Sequence, residues 1–264
     1  MSPRDLTASL YFSAALRVAG DLAMTRLMPL EAVGRPLAPH EGFSHRVLLA
    51  LQALGVIEPE LSLSQAQDWL SARDWPRSGL ESVAWRIRWT PRDCQRQHDA
   101  ARQLLTDIDP SHEVLEVLQA IWEDLGTAEA VQYAGWSLAK FGYNPQWGLS
   151  AVDTLSETLR VYSVSQVMYF IQLAARTVVT THQQAGAGAS RLDQLFVSSI
   201  GSFARRAQVE RWDVKGVSRP SNLPLSVISS IFAYEVTRLD EDYLTLCPSE
   251  EALACALLRG RTVH

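Results

Sequence analysis

Residues 164–190, VSQVMYFIQLAARTVVTTHQQAGAGAS, form the most apolar window of the 264-residue chain, yet Tyr169, Gln172 and Arg176 stand in its middle. A membrane-spanning helix needs roughly 18 or more consecutive apolar residues. Gln172 and Arg176 interrupt this run, so no membrane segment is expected. Val164, Val167, Met168, Ile171, Ala174, Ala175 and Val178 fall on one helical face, which Phe170 and Leu173 widen. Ser165, Tyr169, Gln172, Arg176 and Thr180 step by four, three, four and four, so they form one continuous polar line. A helix apolar over most of its circumference belongs at the centre of a bundle. Its arginine would then require a carboxylate, and Glu123 and Glu129 in the acidic stretch upstream are the expected partners. Tyr169, Gln172, Arg176, Glu129 and Glu123 therefore make one candidate set, read first as an internal polar network and second as a ligand-facing site.

Working outward, helical spacing recurs along nearly the whole chain, and the fold class expected is all-α, a multi-helix bundle of about eleven helices. The punctuation is that of helices. Gly55, Gly126 and Gly142 stand where helices are expected to stop, Thr90 and Pro91 form an N-cap and first-turn pair, and Ser163 or Ser165 starts the central helix. In RSGLESVAWRIRW, residues 77–89, Ser78 and Glu81 have capping-box spacing and predict a further helix. VIEPEL, residues 56–61, is a short extended candidate. The loop YNPQWGLS near residue 145 is the expected boundary between an N-terminal helical domain, 1–145, and a C-terminal one, 146–264, the two packed together or forming one domain.

The order helix, extended piece, helix, turn, helix over residues 44–96 is that of a winged-helix or helix-turn-helix part. In that reading Arg86 and Arg88 on the third helix face a groove, and Arg73, Arg77, Arg92 and Arg96 meet the flanking backbone. Two features oppose it. No alternating strand pair follows Trp89 to make a wing, and Arg86 and Arg88 would stand about 200° apart on a helix. A helical hairpin that simply packs is the plainer expectation.

With 24 basic against 29 acidic residues the formal charge is -5, so there is no global attraction to nucleic acid or anionic membrane. Lys140 and Lys215 are the only lysines, which fits a GC-rich coding sequence. Three scattered cysteines, Cys94, Cys247 and Cys255, predict free thiols in a reducing, cytoplasmic compartment. Cys94 and His98, four apart, share a helical face as two metal ligands do, but no second pair completes a zinc set. His40 and His45 are assigned surface or capping roles. No metal and no cofactor are expected. Among the eight tryptophans, Trp75 and Trp147 lie in loops beside prolines and are the expected interface anchors.

The function expected is that of a non-catalytic helical interaction protein, a regulatory, immunity-type or accessory subunit of a bacterial assembly, with a protein partner or a second copy. A helix-turn-helix nucleic-acid binder, and an enzyme or small-ligand receptor with its site on the 164–183 helix, are the alternatives.

Overall fold

The computed structural model describes residues 3–61, 79–185 and 188–261. Among them helices dominate, with one small three-stranded sheet, and the all-α class holds. No described helix is long and apolar enough to cross a membrane.

The chain divides into two compact units, each discontinuous at its ends. The first comprises residues 1–114 and 226–238, the second residues 115–225 and 239–264. The loop at residues 141–146 lies inside the second unit.

In the first unit α1 (Pro3–Ala19) packs on α2 (Glu41–Ala53) and α3 (Pro91–Thr106). Gly55, at φ +71°, ends α2 in the left-handed turn that glycine adopts without a Cβ penalty. Thr90 caps α3 as its sequence predicts, with Oγ1 accepting from the Asp93 N–H at 3.3 Å. The returning segment holds α4 (Val227–Ser230) and a π-helix, Ile231–Val236. It is tied down by Val227 and Ile228 N–H groups donating to the Pro36 and Leu37 carbonyls at 3.0 and 3.1 Å. A two-point ion pair joins Arg17 to Glu235, its longer contact 2.8 Å.

The sheet corrects one sequence expectation. Residues 84–87 are not part of a helix but the central strand of three, β1 (Arg26–Leu27), β2 (Ile57–Glu60) and β3 (Ala84–Ile87), in the order β1-β3-β2 and antiparallel throughout. Glu58 lies opposite Arg86 and Pro59 opposite Trp85. The physical reason is a period of two: Val83, Trp85 and Ile87 are buried, whereas Arg86 and Arg88 are exposed. Leu80–Ser82 is a single 3-10 turn leading into the strand.

The second unit is built from α5 (His112–Lys140, entering from the last residues of the first unit), α6 (Trp147–Ser150), α7 (Val152–Leu159), α8 (Val164–Ala185), α9 (Ala189–Val209), α10 (Asp242–Thr245) and α11 (Glu250–Arg261). The opening stretch is α8. Its apolar face, Val164 through Val178, is at most 1% exposed and packs along α9, so the helix is central as its pattern requires. Ser163 starts it in a reciprocal capping box: its Oγ accepts from the Gln166 N–H at 3.3 Å, and the Gln166 side chain accepts from the Ser163 N–H at 3.0 Å.

Gly126 does not stop a helix, because α5 runs through it without a break. A Cβ there would stand 3.1 Å from Val164 Cγ2, so the residue is small to admit the start of α8. Gly148 answers a tighter demand: a Cβ would lie 2.8 Å from the Val131 carbonyl oxygen and 3.0 Å from the Gly135 nitrogen.

Candidate functional site

The polar line of α8 does not converge on one place. Ser165 is buried, Tyr169 and Gln172 are half-buried, and Arg176 is exposed. Gln172 Nε2 donates to the Tyr133 hydroxyl oxygen at 2.6 Å, and burial pushes the Tyr133 hydroxyl up in pKa against the lowering effect of that bond. The Tyr169 ring leans on Phe170, with centroids 5.9 Å apart. Glu123 accepts from the Gln119 side chain at 2.8 Å.

Glu129 is fully buried, and its countercharge is Arg219 instead of Arg176, at 2.5 Å. Arg219 also donates to the Leu223 carbonyl at 2.5 Å, to the Pro224 carbonyl at 3.2 Å and to Gln132. Its side chain is 8% exposed. One guanidinium thus closes the Pro-rich loop 217–225 onto α5 through a buried carboxylate. This arrangement positions backbone and leaves little donor capacity for a ligand. Arg219 does not stand out in the sequence, because it lies in a stretch that reads as a break between helices. The signal was there: Glu129 sits among Ala128, Ala130 and Val131 on the buried side of α5, so a cation had to reach it.

The arginine-rich segment is likewise reassigned. On a strand Arg86 and Arg88 share one face, and both turn to Glu58: Arg86 Nε donates to Oε1 at 2.6 Å, and Arg88 Nε lies 3.8 Å from Oε2. The recognition helix assumed for them is therefore absent at these residues. Arg92 and Arg96 are exposed on the first turns of α3, Arg96 in an ion pair of 2.6 Å with Asp93. Arg73, Arg77 and Trp75 lie outside the described residues. Trp147 is not an exposed anchor: it is 8% exposed and stacks on Tyr143 with centroids 5.6 Å apart, in the core of the second unit. Cys94 is buried, and its thiol is raised in pKa by burial first and by Asp21 second, while His98 meets the Phe12 ring edge-on.

Two features of the first unit collect chemistry. The first is the start of α2. His40 is its N-cap, with Nδ1 accepting from the Phe43 N–H at 3.3 Å, and its pKa is lowered to about 4 by burial, by Arg46 and by His45. His45, one turn on, is buried, with Nε2 2.8 Å from Glu81 Oε1 and 3.8 Å from Glu41 Oε1. The hydrogen bond to Glu81 is the main cause that raises Glu41. Burial acts to raise Glu81, but bonds with Glu41 and its own backbone N–H, together with His45, leave it lowered.

The second feature is a groove of about 230 Å³ between α1 and α3. Buried Phe12, Leu51 and Val56 line it, Ala8 and Ala100 keep its walls low, and half-buried Trp89 stands at one side, its ring edge-on to Phe12 at 5.3 Å. Asp5, Ser9 and Gln97 supply the polar lining.

Comparison of the chain with protein-family models, with curated proteins and with solved structures gives no match.

Proposed function

We propose that this chain is a non-catalytic helical interaction protein, a regulatory or accessory subunit, and that it holds an apolar helix or loop of a protein partner in the groove between α1 and α3. The observation that carries the reading is the composition of that groove: an apolar lining, a half-buried tryptophan and polar groups beside them. Recognition surfaces concentrate their binding energy in such places, where an aromatic side chain supplies contact area at little cost in conformational entropy. Small alanines on both walls leave room for a side chain from outside. Trp89 takes the role that the sequence reading gave to Trp147.

The test is affinity capture from the native host with the wild-type chain and with Ala100→Trp, which fills the groove from an exposed position. The expected result is a protein retained by the wild type and lost from the variant, with the circular dichroism and melting temperature of the variant unchanged. Retention of the same proteins by both chains, or of none by either, refutes the assignment of the groove.

A further inference from the structure

Glu41, His45 and Glu81 bring three potential ligand atoms within 4.8 Å of one another. They come from two elements of the first unit. Glu41 and His45 are four residues apart at the start of α2 and so share a helical face, and Glu81 lies on the 3-10 turn that packs against α2. Each contributes an atom suited to a borderline or hard divalent ion, an imidazole nitrogen and two carboxylate oxygens.

The spacing is that of ligands around one ion. A tetrahedral Zn2+ with nitrogen and oxygen ligands at about 2.0–2.1 Å holds those ligands about 3.4 Å apart. Here His45 Nε2 lies 2.8 Å from one carboxylate oxygen and 3.8 Å from the other, so the observed values bracket the requirement. Adjustments of about half an ångström, within the reach of carboxylate rotamers, would seat the ion.

Burial and charge argue the same way. The His45 side chain is 9% exposed, that of Glu81 28% and that of Glu41 56%, so the imidazole is withdrawn from water, Glu81 is half-buried and Glu41 faces solvent. Two carboxyl groups within 4 Å of one imidazole place acidic oxygens at one point, where a divalent cation can be held by both.

We propose that Glu41, His45 and Glu81 bind one divalent transition-metal ion of the Zn2+ class. His45 Nε2 and one oxygen from each carboxylate are the protein ligands, and the fourth position opens on the solvent side beside Glu41. The set is independent of the groove between α1 and α3 and stands or falls separately.

The experiment uses the full chain, stripped with a chelator, titrated with ZnCl2 by calorimetry and with Co2+ by visible absorption. One ion per chain is expected, with an intense tetrahedral Co2+ spectrum. Glu81→Gln and His45→Ala are expected to weaken Zn2+ at least tenfold. Should either of those unfold the chain, Glu41→Gln changes a solvent-facing ligand and is still expected to weaken binding and alter the Co2+ spectrum. No binding to the wild type overturns the proposal, leaving His45 and Glu81 as an ion pair only. Binding unchanged by Glu41→Gln overturns it equally, because the ion then sits elsewhere.

Discussion

Arg219→Ala should be the most damaging single substitution among the polar residues described. It removes the countercharge of Glu129, a carboxylate with no exposure, together with donors to the Leu223 and Pro224 carbonyls and to Gln132. Breaking a buried ion pair by deleting one partner costs about 3–5 kcal/mol, since the remaining charge stays desolvated and uncompensated. For a unit of this size each kcal/mol moves the midpoint by roughly 3–4 °C, so the melting temperature should fall by roughly 10–20 °C. That loss is a large part of the roughly 5–15 kcal/mol by which a domain is stable at all. Urea unfolding followed by tryptophan fluorescence, with calorimetry alongside, measures it. Two comparisons locate the cause. Arg176→Ala, at an exposed position, should stay within about 0.5 kcal/mol of wild type. The double variant Glu129→Leu with Arg219→Met should recover most of the stability, because it deletes both charges and keeps apolar volume. A loss below about 1 kcal/mol for Arg219→Ala, or a double variant as unstable as the single, would refute the claim that this pair is desolvated.

Three further outcomes follow from the same structure. His40 titrates near 4 when folded against an ordinary 6.5, so below about pH 6.5 the unfolded chain binds a proton that the folded chain refuses. Stability should therefore fall as pH drops from about 6.5 to 4, by up to about 3 kcal/mol and nearer 1–2 after solvent screening, and pH-dependent unfolding of His40→Asn, which keeps a cap acceptor without the titration, should show a flatter profile. Gly148→Ala places a Cβ against the Val131 carbonyl and should cost about 1–3 kcal/mol in chemical unfolding, with full stability in the variant counting against the close approach. In a thiol-labelling time course exposed Cys255 should react first, and Cys94, buried and raised in pKa, only on unfolding.

How far the fold could be read in advance depended on which signal was local. The caps at Thr90 and Ser163 and the stop at Gly55 are set by neighbours within four residues, and the structure places them as expected. The central position of α8 also followed from its own periodicity. AWRIRW misled because a capping-box spacing just before it outweighed a clear alternation, and the strand depends on partners at Arg26 and Ile57 that lie far off in sequence. Trp147 beside Pro145 resembled an exposed loop residue, yet Gly148 lets the chain approach α5 closely enough to bury the indole. The nearest polar line does not reveal the partner of Glu129, because ion pairs are set by three-dimensional proximity and Arg219 lies 90 residues away. The cluster of Glu41, His45 and Glu81 was hidden for the same reason: only two of its three members are near in sequence.

The returning segment, residues 226–238, sets an order of events during synthesis. The strand of contacts from Pro36 and Leu37 to Val227 and Ile228, and the bridge from Arg17 to Glu235, join positions about two hundred residues apart in a nascent chain. While the ribosome is still making the second unit, α1 and α2 stand without the segment that closes over them. A stop anywhere before residue 238 would thus release a first unit lacking its own last piece, with apolar side chains on α1 uncovered. Chaperone demand and aggregation risk should accordingly be highest for C-terminally truncated products, even though the missing residues belong to the unit made first.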